Sequence, residues 1–559
     1  MKLKKLFLTF ALAALCVSAD AVPAKRGQWI TAELADGSKV RVELVGDEFC
    51  SFFRAEDGRC FVRNAETGLF EQADAKSLQA KAAAKRVSVM ENRKKAAAKM
   101  AELSNETDKP FHGKFRSLII LVDFPDKKFD AAHTLELYKD IFNKDNFTHE
   151  MGFKGSARDY FMAQSRGAFD INFDVLGPVT MKENYAYYGK PVDGNNDNPI
   201  ALAEMVRDAC AAVDDKVNFS DYDWNGDGVA DQVFIFFAGH GEATNPDDAN
   251  TIWPHQWDIT AASGGTMQVT FDGVRVENYA CSCELNEYGK IAGVGTFCHE
   301  FSHCLGLPDM YDYGGMNYGM GLWDIMDRGS YNQDGFLPSN YTSYEAMYIG
   351  WREPVELKEP CKISNLPAYA DGGDAYIIYN DAHKDEFYML ENRQLKGWDA
   401  ALPNSGLLII HVDYSKSAWD KNIVNSTFRE RCTIFRADNL YLYPKDWESY
   451  FNDSKGDIYP FEDNNQLTDE SKPNAKLNNA NTDGKKLMHK PITEITRNDD
   501  GTVSFVFMNY KESTGIDGIT VNSEVKDNRV FSIDGRYLGN DLKALKKGIY
   551  IQNGKKVIR

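Results

Sequence analysis

The stretch GTFCHEFSHCLGLPD, residues 295–309, limits what this chain can fold into more than any other part of the sequence. Its first residues predict a helix, and residues four apart lie on one face of a helix. His299 and His303 can therefore direct imidazole nitrogens to one metal ion, with Glu300 beside that ion. This is the H-E-x-x-H arrangement of two zinc ligands and a general base. The alternative is an ordinary amphipathic helix in which the three residues coincide by chance.

A catalytic zinc also needs a third protein ligand and an open position for water. Gly306, three residues after His303, can take a positive φ and end the helix, and Asp309 can then return a carboxylate to the metal. The pattern H-E-x-x-H-x-x-G-x-x-D ends in Asp where the common metzincin version has His. Met326, in GLWDIMDRGSY, stands where metzincins place a Met-turn beneath the zinc. A gluzincin would use a later Glu, and Glu345 is the rival to Asp309 for this role.

Length and charge restrict the class of protein. A chain of 559 residues is too long for one ordinary domain and suggests about three or four units. Its residues are 43% hydrophobic and 26% charged, the balance of a globular protein with real cores. The net charge of −19 should repel a phosphate backbone, which excludes nucleic acid as an expected partner.

The first 21 residues predict an export signal. A lysine-rich start, the apolar run LFLTFALAALCV and an A-x-A site ending at Ala21 are typical of a signal peptide. The apolar run is too short to span a membrane, and no later stretch has 18 apolar residues in a row, so we expect no stable membrane insertion. The chain has ten cysteines, and Cys16 would be lost with the signal peptide. The number that remains is odd, so at least one thiol stays unpaired, and the sequence does not determine which cysteines form disulfides. Cys50 or Cys60 could cap a metal, but a buried or paired cysteine is the favoured interpretation.

The order of patterns along the chain predicts an α+β fold with separate terminal parts. Residues 22–107 begin with short β-like runs and continue into an Ala- and Lys-rich connector. Residues 108–358 alternate buried strands such as LIILVDF and QVFIFFAG with helices such as PIALAEMVRDACAAV. Residues 359–512 turn to strands and polar loops, and residues 513–559 predict a small β-module with DG and NG hairpin signals.

A second set of oxygen ligands lies in DYDWNGDGVADQ. Gly228 supplies a sharp turn there, and the spacing of the polar residues is that of a calcium loop. The expected calcium ligands are Asp223, Asn225, Asp227, the Val229 carbonyl and Asp231. Position 12 is Phe234 instead of Glu, so the loop is no full EF-hand. The alternative is an Asx-rich turn before a strand.

Several motifs together resemble the secreted bacterial metalloproteases of the immune inhibitor A type. They are HEFSHCLGLPDMYD, GLWDIMDRGS, EFYMLENRQLKGWDAALPNSGLLIIHVDY and SARDYFMAQSRGAFDINFDVLGPV, and the similarity runs from about residue 110 to 510. The resemblance implies a metzincin-like catalytic domain, zinc on His299, His303 and Asp309, Glu300 as catalytic base, and a zymogen with residues 22–107 as propeptide. Metzincins often add a tyrosine hydroxyl, for which Tyr331 and Tyr311 are the candidates.

The sequence therefore predicts a secreted or cell-surface zinc endopeptidase that acts on proteins or peptides. A zinc-activated water would attack the scissile carbonyl while Glu300 takes its proton. VFSIDGRYLG and LKKGIYIQNGKKVIR resemble the C-terminal sorting domains of Bacteroidota, which implies secretion machinery as a partner. The rival function is a surface binding protein or adhesin on a metalloprotease-like scaffold. An intact H-E-x-x-H disfavours it, because a binding module does not need Glu300.

Overall fold

The computed structural model describes residues 22–47, 51–64, 67–74, 76–78, 80, 111–192, 197–313, 317–440, 446–511, 529–552 and 555–559. The predicted signal peptide, Cys50 and most of the Ala- and Lys-rich connector lie outside these residues. Residues up to Asn509 form one compact unit and Tyr510–Arg559 form a second. Within the described ranges, no helix combines the length and apolar character needed to span a membrane.

The N-terminal region forms an antiparallel sheet whose strands follow one another in sequence order. These strands are β1 (Trp29–Glu33), β2 (Lys39–Gly46), β3 (Ser51–Ala55), β4 (Cys60–Arg63) and β5 (Phe70–Ala73). DG turns connect β1 to β2 and β3 to β4, where Gly37 and Gly58 take φ values of +80° and +84°. One face of the sheet shares a core with Trp253 and Tyr331, so this region packs directly on the part of the chain that carries the metal motif.

A mixed sheet in the order β10-β13-β9-β6-β7 forms the centre of the following region. Its strands are β6 (Gly113–Asp123), β7 (Phe169–Thr180), β9 (Val233–His240), β10 (His255–Asp258) and β13 (Asn278–Leu285). The inner pairs are parallel and the edge strand β10 runs antiparallel to β13. A smaller sheet beside it has the order β11-β12-β8, with β8 (Val229–Ala230), β11 (Val269–Phe271) and β12 (Val274–Val276).

Helices cover both faces of the central sheet, which is why its strands are apolar throughout. Along β6, Ile119 and Leu121 belong to one core, and Leu118, Ile120 and Val122 belong to the other. The helices of this region are α1 (Leu135–Asn143), α2 (Ala157–Gln164), α3 (Tyr185–Gly189), α4 (Pro199–Val213), α5 (Ile259–Ala262), α6 (Gly295–Ser302) and α7 (Ser343–Ile349). The predicted helix PIALAEMVRDACAAV is confirmed as α4, and the predicted strands LIILVDF and QVFIFFAG are confirmed within β6 and β9.

The strands predicted for residues 359–512, together with a short strand that begins at Val355, form two sheets in the same compact unit. One has the order β14-β16-β17-β18-β19, with β14 (Val355–Glu356), β16 (Tyr376–Tyr379), β17 (Glu386–Arg393), β18 (Gly406–Asp413) and β19 (Cys432–Ile434). The other has the order β15-β21-β20, with β15 (Cys361–Leu366), β20 (Ile492–Arg497) and β21 (Val503–Phe507). Two helices, α8 (Lys416–Trp419) and α9 (Trp447–Asp453), lie between these strands in sequence.

The first of these sheets shares a core with the metal-motif helix. Met389 of β17 and Ile410 of β18 belong to the same buried cluster as Phe297 and Phe301 of α6. Alternate residues of the same strands face the second sheet. The strand-rich region is therefore packed against the site and is not a separate appendage of it.

Residues 529–552 and 555–559 contain the strands of the second compact unit. They are β22 (Val530–Phe531), β23 (Tyr537–Gly539), β24 (Ile549–Gln552) and β25 (Lys555–Ile558), in the order β23-β22-β24-β25. Gly535, in the predicted DG turn, has a φ of +84°. These strands lie in the range where the sequence predicts a small C-terminal β-module, and that module and its role in sorting stay predictions.

Candidate metal centre

The helix α6 presents the two histidines of the motif on one face. It runs as an α-helix to Ser302, tightens to a 3-10 turn over His303–Leu305, and ends at Gly306 with a φ of +90°. The rings of His299 and His303 lie 4.9 Å apart between centroids and are almost perpendicular, at 89°. The predicted helix end at Gly306 is confirmed, and the tighter last turn is a detail that spacing alone does not reveal.

Asp309 returns to this face as the sequence pattern predicts. Its Oδ1 lies 3.1 Å from Nε2 of His299 and 3.5 Å from Nε2 of His303. The ligand atoms of the three side chains all lie within 4.8 Å of one another, and the residues are at most 2% exposed. Among the described residues, this is the group of three such side chains with the spacing of metal ligands.

The hydrogen bonds of the two imidazoles determine which nitrogens face Asp309. Nδ1 of His299 donates to the carbonyl of Ile325 at 2.7 Å, and Nδ1 of His303 donates to the carbonyl of Leu307 at 2.8 Å. A carbonyl only accepts, so Nδ1 carries the proton and Nε2 of the neutral ring presents a lone pair. Two nitrogen lone pairs and a carboxylate oxygen then converge in a buried space. A divalent cation fits this donor set, and zinc favours it.

Met326 lies in the segment beneath the histidines. Its carbonyl accepts the N–H of Met310 at 2.8 Å, and the carbonyl of the preceding residue, Ile325, holds His299. Glu345, the rival third ligand, is engaged elsewhere: its Oε2 accepts the Thr342 N–H at 2.6 Å in the capping box of α7. Burial raises the pKa of Glu345 to about 7. The geometry brings Asp309, and not Glu345, to the two histidines.

Glu300 is fully buried beside His299 and His303, and one of its partners comes from the start of the described chain. Oε1 of Glu300 accepts the backbone N–H of Val22 at 2.8 Å, across 278 positions of sequence. The Trp253 indole donates to the Val22 carbonyl at 3.1 Å, and the Lys25 N–H donates to the Ala243 carbonyl at 2.9 Å. No local spacing in the sequence signals this contact.

Both candidate tyrosines contact the N-terminal region. The hydroxyl of Tyr331 donates to the Pro23 carbonyl at 2.7 Å, and that of Tyr311 donates to Asp47 at 3.4 Å. Burial raises the pKa of Tyr331, so its hydroxyl stays protonated and acts as a donor. The Tyr331 hydroxyl therefore donates to the carbonyl of the residue that follows Val22, whose N–H is accepted by Glu300.

Cys60, which could have capped a metal, instead lies in a small apolar cluster of the N-terminal sheet. Its neighbours there are Val45 and Phe52, and its thiol donates to the Gly58 carbonyl at 3.7 Å. The thiol thus belongs to the core of the sheet, in agreement with the favoured interpretation of this cysteine. No cysteine of the described residues forms a disulfide.

The expected calcium loop is a tight turn between a 3-10 turn ending at Tyr222 and β8. Its side chains bond to its own backbone: Asp223 accepts the Gly228 N–H at 2.8 Å, and Asp231 accepts the Trp224 N–H at 2.6 Å. Asn225 accepts the N–H of Asp227, and Asp227 accepts the N–H of Val229, the first residue of β8. Burial, together with the nearby charges of Asp223 and Asp227, raises the pKa of Asp231 to about 7.

Comparison with known proteins finds a peptidase family that part of the chain resembles. Residues 105–352 match the catalytic domain of the immune inhibitor A peptidases, family M6. The chain is 28% identical to the pre-pro-metalloprotease PrtV of Vibrio cholerae over 270 residues, which cover 42% of this chain and 29% of that protein. It is also 28% identical to immune inhibitor A of Bacillus thuringiensis over 299 residues, which cover 44% and 43%.

A fungal protein gives a weaker match of the same extent. A putative secreted metallopeptidase of Arthroderma benhamiae is 24% identical over 305 residues, which cover 42% of each chain. The chain thus spans less than half the length of these curated relatives. Residues 105–352 correspond to an immune inhibitor A-type M6 peptidase catalytic domain, and with the buried His-His-Asp group this correspondence supports a zinc metallopeptidase.

Proposed function

We propose that the chain is an exported zinc endopeptidase, made as a zymogen, that hydrolyses peptide bonds of extracellular proteins. The observation that carries the proposal is the buried convergence of His299, His303 and Asp309 with Glu300 next to them in the helix. An adhesin would need neither the three converging donors nor a buried carboxylate beside them. Asp309 as a third ligand shortly after the histidines, and Met326 next to the Ile325 carbonyl that accepts from His299, support a metzincin-like arrangement.

The chemistry divides between the metal and the protein. When bound, zinc supplies Lewis-acid chemistry that activates a water and polarises a peptide carbonyl. Glu300 accepts a proton from the attacking water and passes a proton to the leaving amine. Tyr331 donates a hydrogen bond to the substrate carbonyl as negative charge develops on its oxygen, as it does to the Pro23 carbonyl in this structure.

Casein hydrolysis tests the proposal directly. We expect hydrolysis to stop when a chelator removes the metal and to return when zinc is added back. Asp309→Ala should reduce bound zinc to a small fraction of the wild-type content, whereas Glu345→Ala should leave the zinc in place. If Glu345→Ala empties the site and Asp309→Ala does not, the assignment of the third ligand is wrong.

The zymogen part of the proposal rests on the contacts of the N-terminal segment, Val22–Lys25. With export cleavage after Ala21, the nitrogen bonded to Glu300 is the amino group of the first residue of the exported chain. A carboxylate paired with this amino group is a weaker base toward water than a carboxylate without that partner. The same segment also forms hydrogen bonds with the side chains of Tyr331 and Trp253 and with the backbone of Ala243. The segment therefore occupies the groups that a substrate would need.

Release of the segment requires cutting the chain between it and the catalytic domain. The connector before residue 108 is rich in Lys and Arg, the residues that a trypsin-like protease selects. Cleavage there would free residues 22–107 as a propeptide. The C-terminal module, residues 513–559, would act in export or surface sorting.

A structural calcium ion on Asp223, Asn225, Asp227, Val229 and Asp231 completes the proposal. Burial first, and then the charges of Asp223 and Asp227, raise the pKa of Asp231, and a cation would offset both effects by stabilising the ionised carboxylates. Its role would be to rigidify the turn that precedes β8 and β9, and so the central sheet on which α6 packs.

A further inference from the structure

The side chain of Asn422 is paired with Asp309 through two hydrogen bonds. Its Nδ2 donates to Oδ2 of Asp309, and its Oδ1 accepts the backbone N–H of Asp309 at 2.6 Å. Asn422 is 3% exposed and Asp309 is 2% exposed, so water does not compete for these bonds. One carboxamide therefore holds both the main chain and the side chain of the third ligand.

This pairing makes the two oxygens of Asp309 unequal. Oδ2 is engaged by the amide of Asn422, whereas Oδ1 faces Nε2 of His299 and of His303 at 3.1 and 3.5 Å. A carboxylate can bind a metal through one oxygen or through both. A donor fixed on Oδ2 favours binding through Oδ1 alone, which keeps a coordination position open for water.

Asparagine suits this position for two physical reasons. Its carboxamide carries a donor and an acceptor side by side, as the pairing with Asp309 requires. Its backbone is also left-handed, with a φ of +49°, a conformation that Asn adopts more readily than most residues. An aspartate at 422 would keep the acceptor but would set a carboxylate against Oδ2.

The segment that carries Asn422 is fixed to the loop around Asp309. Asn425 donates from Nδ2 to the carbonyls of Met310 and Cys432, each at 2.6 Å. The hydroxyl of Ser426 accepts the N–H of Tyr313 at 3.0 Å. The start of β19 and the ligand loop are thus joined through one short stretch of chain.

We propose that Asn422 is a positioning residue that holds Asp309 as a one-oxygen zinc ligand, and that the strand-rich region beyond residue 352 thereby forms part of the metal centre. The inference rests on the proposed zinc function of His299, His303 and Asp309. Asn422 acts through Asp309, to which both of its side-chain polar atoms are bonded. Asn422 lies outside residues 105–352, the range that matches the peptidase catalytic domain, so that range alone does not contain the residue that holds Asp309.

Zinc affinity, measured on the full chain by competition with a chelating dye, tests the inference without reference to catalysis. Asn422→Ala and Asn422→Asp should each bind zinc about 10- to 100-fold more weakly than the wild type at neutral pH. The zinc-induced rise in melting temperature should shrink in both variants. The melting temperature in excess chelator shows whether each variant is folded, and the two substitutions give two chances of a folded protein.

Asn392→Ala is the matched control. Asn392 is also a buried asparagine of the strand-rich region, and its Nδ2 donates to the carbonyls of Leu366 and Gly501 at 2.8 and 2.9 Å. It should lose stability and keep wild-type zinc affinity. If a folded Asn422 variant binds zinc within about threefold of the wild type, or if Asn392→Ala loses zinc equally, the inference is overturned. A wild type that binds no zinc would instead refute the proposed function.

Discussion

Lys25 is the residue whose removal should most clearly release the N-terminal segment from the site. Its ammonium group is bonded to Glu287 and lies 3.1 Å from Asp334, and its side chain is only 4% exposed. Breaking a buried ion pair costs about 3–5 kcal/mol, and an exposed pair contributes about 0–1 kcal/mol. Glu287 is 6% exposed and Asp334 is 40% exposed. We therefore expect Lys25→Ala to weaken the bound state of the segment by about 2–3 kcal/mol.

This free energy corresponds to a rise of about 30- to 150-fold in the basal rate of the unprocessed protein, limited by the rate of the trimmed enzyme. The assay is the initial rate on a quenched fluorescent peptide, with gels to show that the chain is still intact. Lys39→Ala is the control, because Lys39 makes an exposed 3.9 Å pair with Glu33 in the N-terminal sheet, away from the segment that carries Lys25. A basal rate that stays at the wild-type level in Lys25→Ala, while the trimmed protein is active, would refute the latency proposed for this segment.

Two further predictions concern stability. Calcium at 100 times its Kd should raise the free energy of unfolding of the wild type by about 2.7 kcal/mol in denaturant, and Asp227→Ala should abolish this increase. A wild-type free energy of unfolding that is the same with and without calcium would count against the site. Burial alone would raise the pKa of Glu386, but its bonds to His411 and Asn478 outweigh this and lower the pKa from 4.5 to about 2. The ionised Glu386 therefore stabilises the folded protein above about pH 4.5, and this contribution to the free energy of unfolding is lost as the pH falls toward 2. Glu386→Gln should thus destabilise the protein at pH 7, with a difference from wild type that narrows over that range in unfolding measurements; a difference independent of pH would contradict this.

The parts of the fold that the sequence predicts are those governed by local pattern. Apolar runs such as LIILVDF lie in a sheet covered on both faces, and turn residues such as Gly37 and Gly58 lie where a positive φ is needed. The spacing of His299, His303 and Asp309 is also local, because a helix and one tight turn determine it. Physical chemistry at short range is sufficient for these features.

The contacts that complete the site come from distant parts of the chain. Val22 reaches Glu300 across 278 residues, and Asn422 reaches Asp309 across 113. Neither position carries a periodic or motif signal, because its role depends on how the N-terminal sheet and β18–β19 pack around α6. The sequence therefore predicts the His-His-Asp group but not the distant residues that contact Glu300 and Asp309.

The most direct test of the account is zinc content and peptidase activity measured together on Glu300→Ala. The wild type and the Glu300→Ala variant should both be trimmed near residue 108 before the measurement, so that the N-terminal segment does not mask activity. We predict one zinc per chain in the variant, as in the wild type, and hydrolysis slower by about 100-fold or more. A variant that keeps its zinc and still hydrolyses peptides at a rate close to that of the wild type would contradict the assignment of Glu300 as the catalytic base.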